Sequence, residues 1–164
     1  MKVEIVPAGS VAAPELDAFL RAAWGADFVV AHGERIILTG LAGVAAVWDD
    51  RVVGHASYRI VDDACELTSI SADPQRKGTG SLLMDRIIDE ARRNGCRRVW
   101  LTTTNDNLDA LRFYQRRGFR LVALRPDAVD VARRELKPEL PEIGSHGIRI
   151  RDELDLALDL APTG

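Results

Sequence analysis

The chain has 164 residues, a length that suits one domain able to bury about two thirds of the surface its unfolded form exposes. With 46% hydrophobic and 29% charged residues, it is neither a disordered chain, a collagen-like repeat nor a coiled coil. A net charge of -3 and a pI near 5.6 count against a protein whose main task is to neutralise nucleic-acid phosphates. Cys65 and Cys96 lie far apart, with no C-x-x-C spacing and no Cys/His cluster, so reduced thiols are expected rather than a disulfide framework or a zinc site. Residues 1–7 lack the apolar run of a secretory signal, and the longest uncharged stretch, 36–48, is too short to span a bilayer. A soluble cytoplasmic protein with no metal and no membrane partner is the expectation.

In chain order, residues 2–6 alternate charged and apolar side chains and predict a short strand closed by Pro7. Pro14 near its start, Leu16, Phe19, Leu20 and Ala23 at helical spacing, and Gly25 as a stop predict a helix. The stretch 27–43 mixes apolar residues with three glycines and a His-Gly-Glu turn signal, and its pattern assigns no element. Segments 44–48, 52–61 and 64–71 predict an antiparallel meander with the acidic pairs Asp49-Asp50 and Asp62-Asp63 at its turns. Leu82, Leu83, Ile87, Ile88 and Ala91 then form a helical stripe, supported by an Asp89/Arg93 pair and ended by Gly95. Residues 98–104 read as a strand, Asn105-Asp106-Asn107 as the cap of a helix over 108–117, and 119–124 as another strand. After Pro126, residues 127–136 are weakly helical and 138–147 form a loop. Leu154, Leu156, Leu158 and Leu160 alternate with Asp155, Ala157 and Asp159, predicting a final strand antiparallel to 119–124. The order strand, turn, helix, strand over 64–101 is a crossover of the kind that joins parallel strands, so the sheet is expected to be mixed.

Two motifs carry chemistry. Gln75-Arg76-Lys77-Gly78-Thr79-Gly80 lies between a strand and a helix that opens near Ser81. Glycines there let backbone approach an anion, and the free N–H groups of a helix start, with the helix dipole, supply donors to it. Arg76 and Lys77 add charge, while Thr79 and Ser81 add hydroxyls. The loop matches neither a nucleotide P-loop nor a dinucleotide fingerprint, and alone it is also compatible with a turn that binds nothing. The second motif is Asn107-x-x-Ala110-x-x-Phe113-Tyr114-x-x-x-Gly118-Phe119. Together, in order and at the usual separation, the two resemble the Gcn5-related N-acetyltransferases over about Val44 to Leu124.

That resemblance implies an α/β fold whose mixed central sheet, flanked by helices on both faces, splays between its central parallel strands to hold acetyl-CoA as co-substrate. It implies that backbone of Ile70, Ser71 and Ala72 pairs with the pantetheine arm and that Gln75, Arg76, Lys77, Gly78, Thr79, Gly80 and Ser81 surround the pyrophosphate. Asn107 would contact the pantetheine. Arg112 or Arg116 would reach the 3′-phosphate, unless each is simply a solvated charge on an exposed helix.

Acetyl transfer to an amine requires a neutral amine and a protonated or stabilised leaving thiolate. A lysine-like amine is neutral in about one molecule in 2,500 at pH 7, a deficit of about 4.6 kcal/mol, against about 1 kcal/mol for an α-amine. By the family match Tyr114 is the acid beside the CoA sulfur, although a tyrosine packed against Phe113 and Phe119 has a purely structural role open to it. Glu66, an acidic residue in an otherwise neutral strand, is the candidate base, directly or through water; an outward-facing charge is the other reading. His55, Asp106 and Asp109 are lesser alternatives. Neither cysteine has a histidine partner, which argues against an acyl-cysteine route.

The chain departs from the family in an inserted segment, 126–149, before the last strand. It is long for a hairpin loop, and its expected use is as a wall of the acceptor site or as a homodimer contact. The expected function is acetyl transfer to a primary amine of a small molecule or a protein, within a single domain over 1–164. The rivals are a catalytically silent acyl-CoA sensor and a nucleotide-binding fold of another family. Acceptor identity resides in loops, and a fold does not specify it.

Overall fold

The computed structural model describes residues 2–162. The class is α/β, with a central sheet that mixes parallel and antiparallel strands and helices that flank it. By contacts the chain divides into two compact units. The first runs through Val29, from Ile37 to Val99, and again from Leu160; the second takes Val30–Ile36 and Trp100–Asp159.

The first unit is built on strands β1 (Glu4–Pro7), β4 (Ala42–Trp48), β5 (Arg51–Val61) and β6 (Ala64–Ala72), in the order β1-β4-β5-β6 with every pair antiparallel. The two meander turns are acidic pairs, as expected, and Asp49, Asp50 and Asp62 all have positive φ. Aspartate tolerates that left-handed region because its short side chain bonds locally to backbone. Helix α1 (Ala13–Trp24) has Pro14 in its first turn, ends on Gly25 and buries Leu20. Helix α2 (Thr79–Arg93) begins two residues before the expected Ser81 and packs Leu83, Met84, Ile87, Ile88 and Ala91 against β4, β5 and β6. Leu82 is exposed, not part of that stripe; Met84 takes its place. Arg93 pairs with Glu90 at 2.8 Å, one residue from the expected Asp89.

In the second unit β7 (Arg98–Thr104, from Trp100 onward), β9 (Glu153–Asp159) and β8 (Arg120–Arg125) lie in the order β7-β9-β8. β8 and β9 are antiparallel, with Leu121 opposite Leu156 and Leu124 opposite Leu154. Helix α3 (Leu108–Arg116) starts on Asn107, whose Oδ1 accepts the Ala110 amide at 3.4 Å. Helix α4 (Ala128–Glu135) opens the inserted segment, which also contains a 3₁₀ turn at Ser145–Gly147.

The stretch without an expected element is a hairpin: β2 (Phe28–Ala31) and β3 (Glu34–Ile37) form a separate two-stranded ribbon. His32 and Gly33 both have positive φ, the requirement of a tight two-residue hairpin turn. Among the described residues no helix is long and apolar enough to cross a membrane.

Candidate functional site

In the first unit the loop after β6 is organised by Asp73. Its carbonyl accepts the Arg76 amide and its Oδ1 the Gln75 amide, both at 2.9 Å, while its own N–H donates to Val53 O at 2.8 Å. Gly78, at φ 85°, then reverses the backbone into α2 in a region closed to most side chains. Thr79 N–H donates to Arg76 O at 3.2 Å, and Leu82 N–H to Gly78 O at 3.1 Å. The amides of Lys77, Gly78, Gly80 and Ser81 have no acceptor among the described residues. Four donors at a helix start, with the positive end of the helix dipole behind them, are groups that can donate to an anion.

The side chains of this loop are less free than its amides. The Arg76 guanidinium is stacked 3.6 Å from the centre of the Trp48 ring. Thr79 is almost wholly buried, and its Oγ1 has no partner among the described residues. Just before the loop, Ile70, Ser71 and Ala72 pair with Ala56, His55 and Gly54 across β5. His55, directly opposite Ser71, is buried with its Nδ1 unpartnered, and burial pulls its pKa down to about 4. The imidazole is therefore neutral at physiological pH. Farther along the same hairpin, Ser57 Oγ lies 2.7 Å from Thr68 Oγ1 and 2.6 Å from Ser69 Oγ.

Glu66 is buried, and its Oε2 accepts Arg59 Nε at 2.6 Å. It faces Arg59 across the hairpin near the Asp62-Asp63 turn, four positions before Ile70. Cys65 and Cys96 are free and buried; burial pushes the Cys65 thiol up to about 12 and raises that of Cys96. Neither is a ready nucleophile.

In the second unit Tyr114 packs between Phe113 and Phe119, with ring centroids 5.5 and 5.7 Å away. Burial raises its phenol above the ordinary value, which keeps the proton on. The hydroxyl makes no hydrogen bond within the described residues. Asn107, besides capping α3, donates from Nδ2 to Thr103 Oγ1 at 3.3 Å. Asp106 is buried and occupied: Thr104 Oγ1 donates to it at 2.5 Å and Ser145 N–H at 2.9 Å. Arg112 and Asp109 are paired at 3.5 Å on the exposed face of α3, where His146 also approaches Asp109 at 3.6 Å.

The inserted segment is tightly held. Arg133 donates to the carbonyls of Leu140 at 3.0 Å, Pro141 at 2.7 Å and Ile150 at 3.1 Å, and to Asp130 at 2.7 Å. Asn105 accepts the amides of Arg151 and Asp152 and donates to Arg149 O. A cavity of about 150 Å³ lies between this segment, the tip of the β2–β3 hairpin and the ends of β7 and β9. Its wall includes Glu153, which is buried and which the sequence pattern, starting the last strand at Leu154, leaves outside the element. In the leucine alternation Glu153 falls in register with Asp155 and Asp159, on the side the pattern assigns to solvent, so no sequence signal singled it out.

The pattern of the Acetyltransferase (GNAT) family matches residues 12–119. The Bacillus subtilis protein YdhI is 37% identical over 151 residues, covering 92% of this chain and 94% of YdhI. The ribosomal protein bS18-alanine N-acetyltransferase of Salmonella typhimurium is 34% identical over 79 residues, 47% of this chain and 53% of that enzyme. Among solved structures, a Bacillus subtilis acetyltransferase in complex with CoA superposes with a TM-score of 0.70 at 20% identity, covering 98% of this chain and 100% of that one. A GNAT family acetyltransferase from Elizabethkingia anophelis with acetyl-CoA bound gives 0.68 at 21%, over 96% and 98% of the two chains. With a family pattern spanning most of the sequence and a near full-length relative above a third identity, the chain belongs to the GNAT family of acetyltransferases.

Proposed function

We propose that the chain is an acetyl-CoA-dependent N-acetyltransferase that moves an acetyl group onto a primary amine of a small molecule or protein by direct attack. The observation that supports this most is the group of four acceptor-free amides at the start of α2, a fit for the pyrophosphate of CoA. Acetyl-CoA supplies the activated acetyl thioester. Lys77, Gly78, Gly80 and Ser81 hold its phosphates through backbone, with Gln75, Arg76 and Thr79 shaping the loop that presents them. Backbone of Ile70, Ser71 and Ala72 hydrogen-bonds the pantetheine arm, and Asn107 contacts it.

Tyr114 keeps a proton available for the leaving sulfur, since burial holds its phenol neutral. Glu66, whose carboxylate accepts Arg59 Nε at 2.6 Å, takes the proton from the attacking amine, directly or through water. No cysteine takes part. The partial likeness to enzymes that act on the alanine of a ribosomal protein brings a protein α-amine into the acceptor range beside small amines.

The deciding experiment is acetyl-CoA turnover, read as released thiol, against polyamines, aminoglycosides, amino acids and N-terminal peptides, with CoA thermal stabilisation measured in parallel. Turnover of any one class is expected. CoA stabilisation with no turnover across the panel would favour a silent acyl-CoA sensor, and stabilisation by ATP or NAD instead of CoA would overturn the reading.

A further inference from the structure

The cavity in the second unit has the composition of a binding site. Val30, Val129, Ala132, Leu140 and Ile150 supply aliphatic walls, and Thr104 and Glu153 supply the polar ones. At about 150 Å³ it matches the size of an engineered apolar cavity that accepts benzene, a molecule of six heavy atoms. Thr104 ends β7, and its carbonyl accepts the Asn107 amide at 3.1 Å, so the cavity adjoins the corner from which α3, with Tyr114, departs.

Two carboxylates beside it share one guanidinium. Arg125 makes two hydrogen bonds to Asp155, Nη1 to Oδ2 at 2.6 Å and Nη2 to Oδ1 at 2.7 Å. Glu153 Oε2 lies farther from the same guanidinium, at 3.6 Å, and accepts the His32 amide at 2.7 Å. The nearby arginines are engaged elsewhere: Arg133 and Arg149 pair with Asp130, and Arg35 donates to Leu136 O. One guanidinium thus serves two carboxylates, with the closer contacts going to Asp155 and the longer one to Glu153, which is 3% exposed. A cation entering the cavity would give this water-excluded carboxylate a second, closer charged partner.

We infer that this cavity holds the non-reacting end of the acceptor, a short alkyl chain ending in a cation, so that the substrate class is an aliphatic diamine or a lysine-like diamino compound. The inference rests on the acetyltransfer reading above. Four or five carbons fill the aliphatic walls, the distal ammonium neutralises Glu153, and the other amine remains available for acetylation.

Titration calorimetry without acetyl-CoA tests the pocket, with n-butylammonium and the isosteric n-butanol as probes. The ammonium is expected to bind about tenfold more tightly, the worth of roughly one charge-assisted hydrogen bond. Glu153→Gln should erase that preference. Ala132→Leu, which fills the cavity without touching the charge, should weaken both probes. Equal binding of the two probes to the wild type, no saturable binding, or insensitivity to both substitutions would overturn the inference. CoA-induced thermal stabilisation, run on the same samples, reports separately on the acetyltransferase reading and on folding of the variants. With turnover, 1,4-diaminobutane should exceed n-butylamine about tenfold in kcat/KM, with the difference in KM; equal values would overturn the diamine assignment.

Discussion

The guanidinium of Arg76 lies 3.6 Å from the centre of the Trp48 ring, so the first charged side chain of the loop before α2 is spent on an aromatic face. In the proposed binding of CoA, the pyrophosphate is then held by backbone. Arg76→Gln should change CoA affinity by less than about threefold. Ser81→Pro removes one acceptor-free amide at a first-turn position that tolerates proline, and it should cost about tenfold or more, with Ser81→Ala controlling for the hydroxyl. Calorimetric titration with CoA checks the order of the three; a larger loss in Arg76→Gln than in Ser81→Pro would contradict it.

Tyr114→Phe should lower kcat about a hundredfold or more, the usual scale for a general acid, with little change in KM. The hydroxyl makes no hydrogen bond among the described residues, so the melting temperature should barely move. Full turnover in the variant would remove the acid role. Because burial raises the phenol above its ordinary pKa, its loss of a proton should not appear as an alkaline limb in kcat below about pH 10.

Glu66→Gln removes the carboxylate that the proposed mechanism uses as base, so kcat/KM should fall about a hundredfold for a lysine-like amine and less for an α-amine, whose neutral form is far more abundant at pH 7. Steady-state rates with one acceptor of each kind check this, and undiminished turnover of both by Glu66→Gln would place the base elsewhere.

His55 links stability to pH. Its folded pKa, about 4, lies below the unfolded value near 6.5, so between these values the unfolded chain binds the extra proton. Stability contributed by the neutral imidazole is therefore full above about pH 6.5 and is lost as pH falls toward 4, by up to about 3 kcal/mol. Urea unfolding at pH 7.5 and pH 5 should show the drop in wild type and a smaller one in His55→Gln. Equal drops would show that other groups carry the acid sensitivity.

Gly144 lies so close to Asp106 that an added Cβ would overlap the carboxylate and come within 2.7 Å of Ile150 Cδ1. Gly144→Ala should displace the loop that Asp106 anchors through the Ser145 amide, at a cost of about 1–3 kcal/mol, the range for overpacking. Hydrogen exchange should quicken at Gly144, Ile148 and Ile150, whose amides bond within the segment, and leave α2 protected. Uniform destabilisation would contradict the local account.

The elements that announce themselves by period were legible. The meander with its Asp-Asp turns and the caps at Asn107 and Gly25 stand where local pattern places them, and the stripe on α2 does so apart from Leu82, which yields its place to Met84, because each is decided by a few neighbouring residues. The β2–β3 hairpin was not legible: its signal is the single pair His32-Gly33, and an apolar stretch such as Phe28–Ala31 fits strand or helix equally. The candidate site was readable only as two motifs. That Arg76 would turn to Trp48, or that Glu153 and Asp155 would share Arg125, depends on residues far apart in sequence, and no local pattern encodes such a meeting.

Arg133 grips the inserted segment by the carbonyls of Leu140, Pro141 and Ile150, and every residue type presents a carbonyl. The frame of the segment is thereby indifferent to which side chains it carries. Residues 138–143 can be exchanged without loosening the clamp, so the one cavity wall they supply, Leu140, is free to diverge while its position stays put. A single arginine in this way separates where the loop sits from what it selects, and libraries randomised across those positions should remain folded as long as Arg133 is kept.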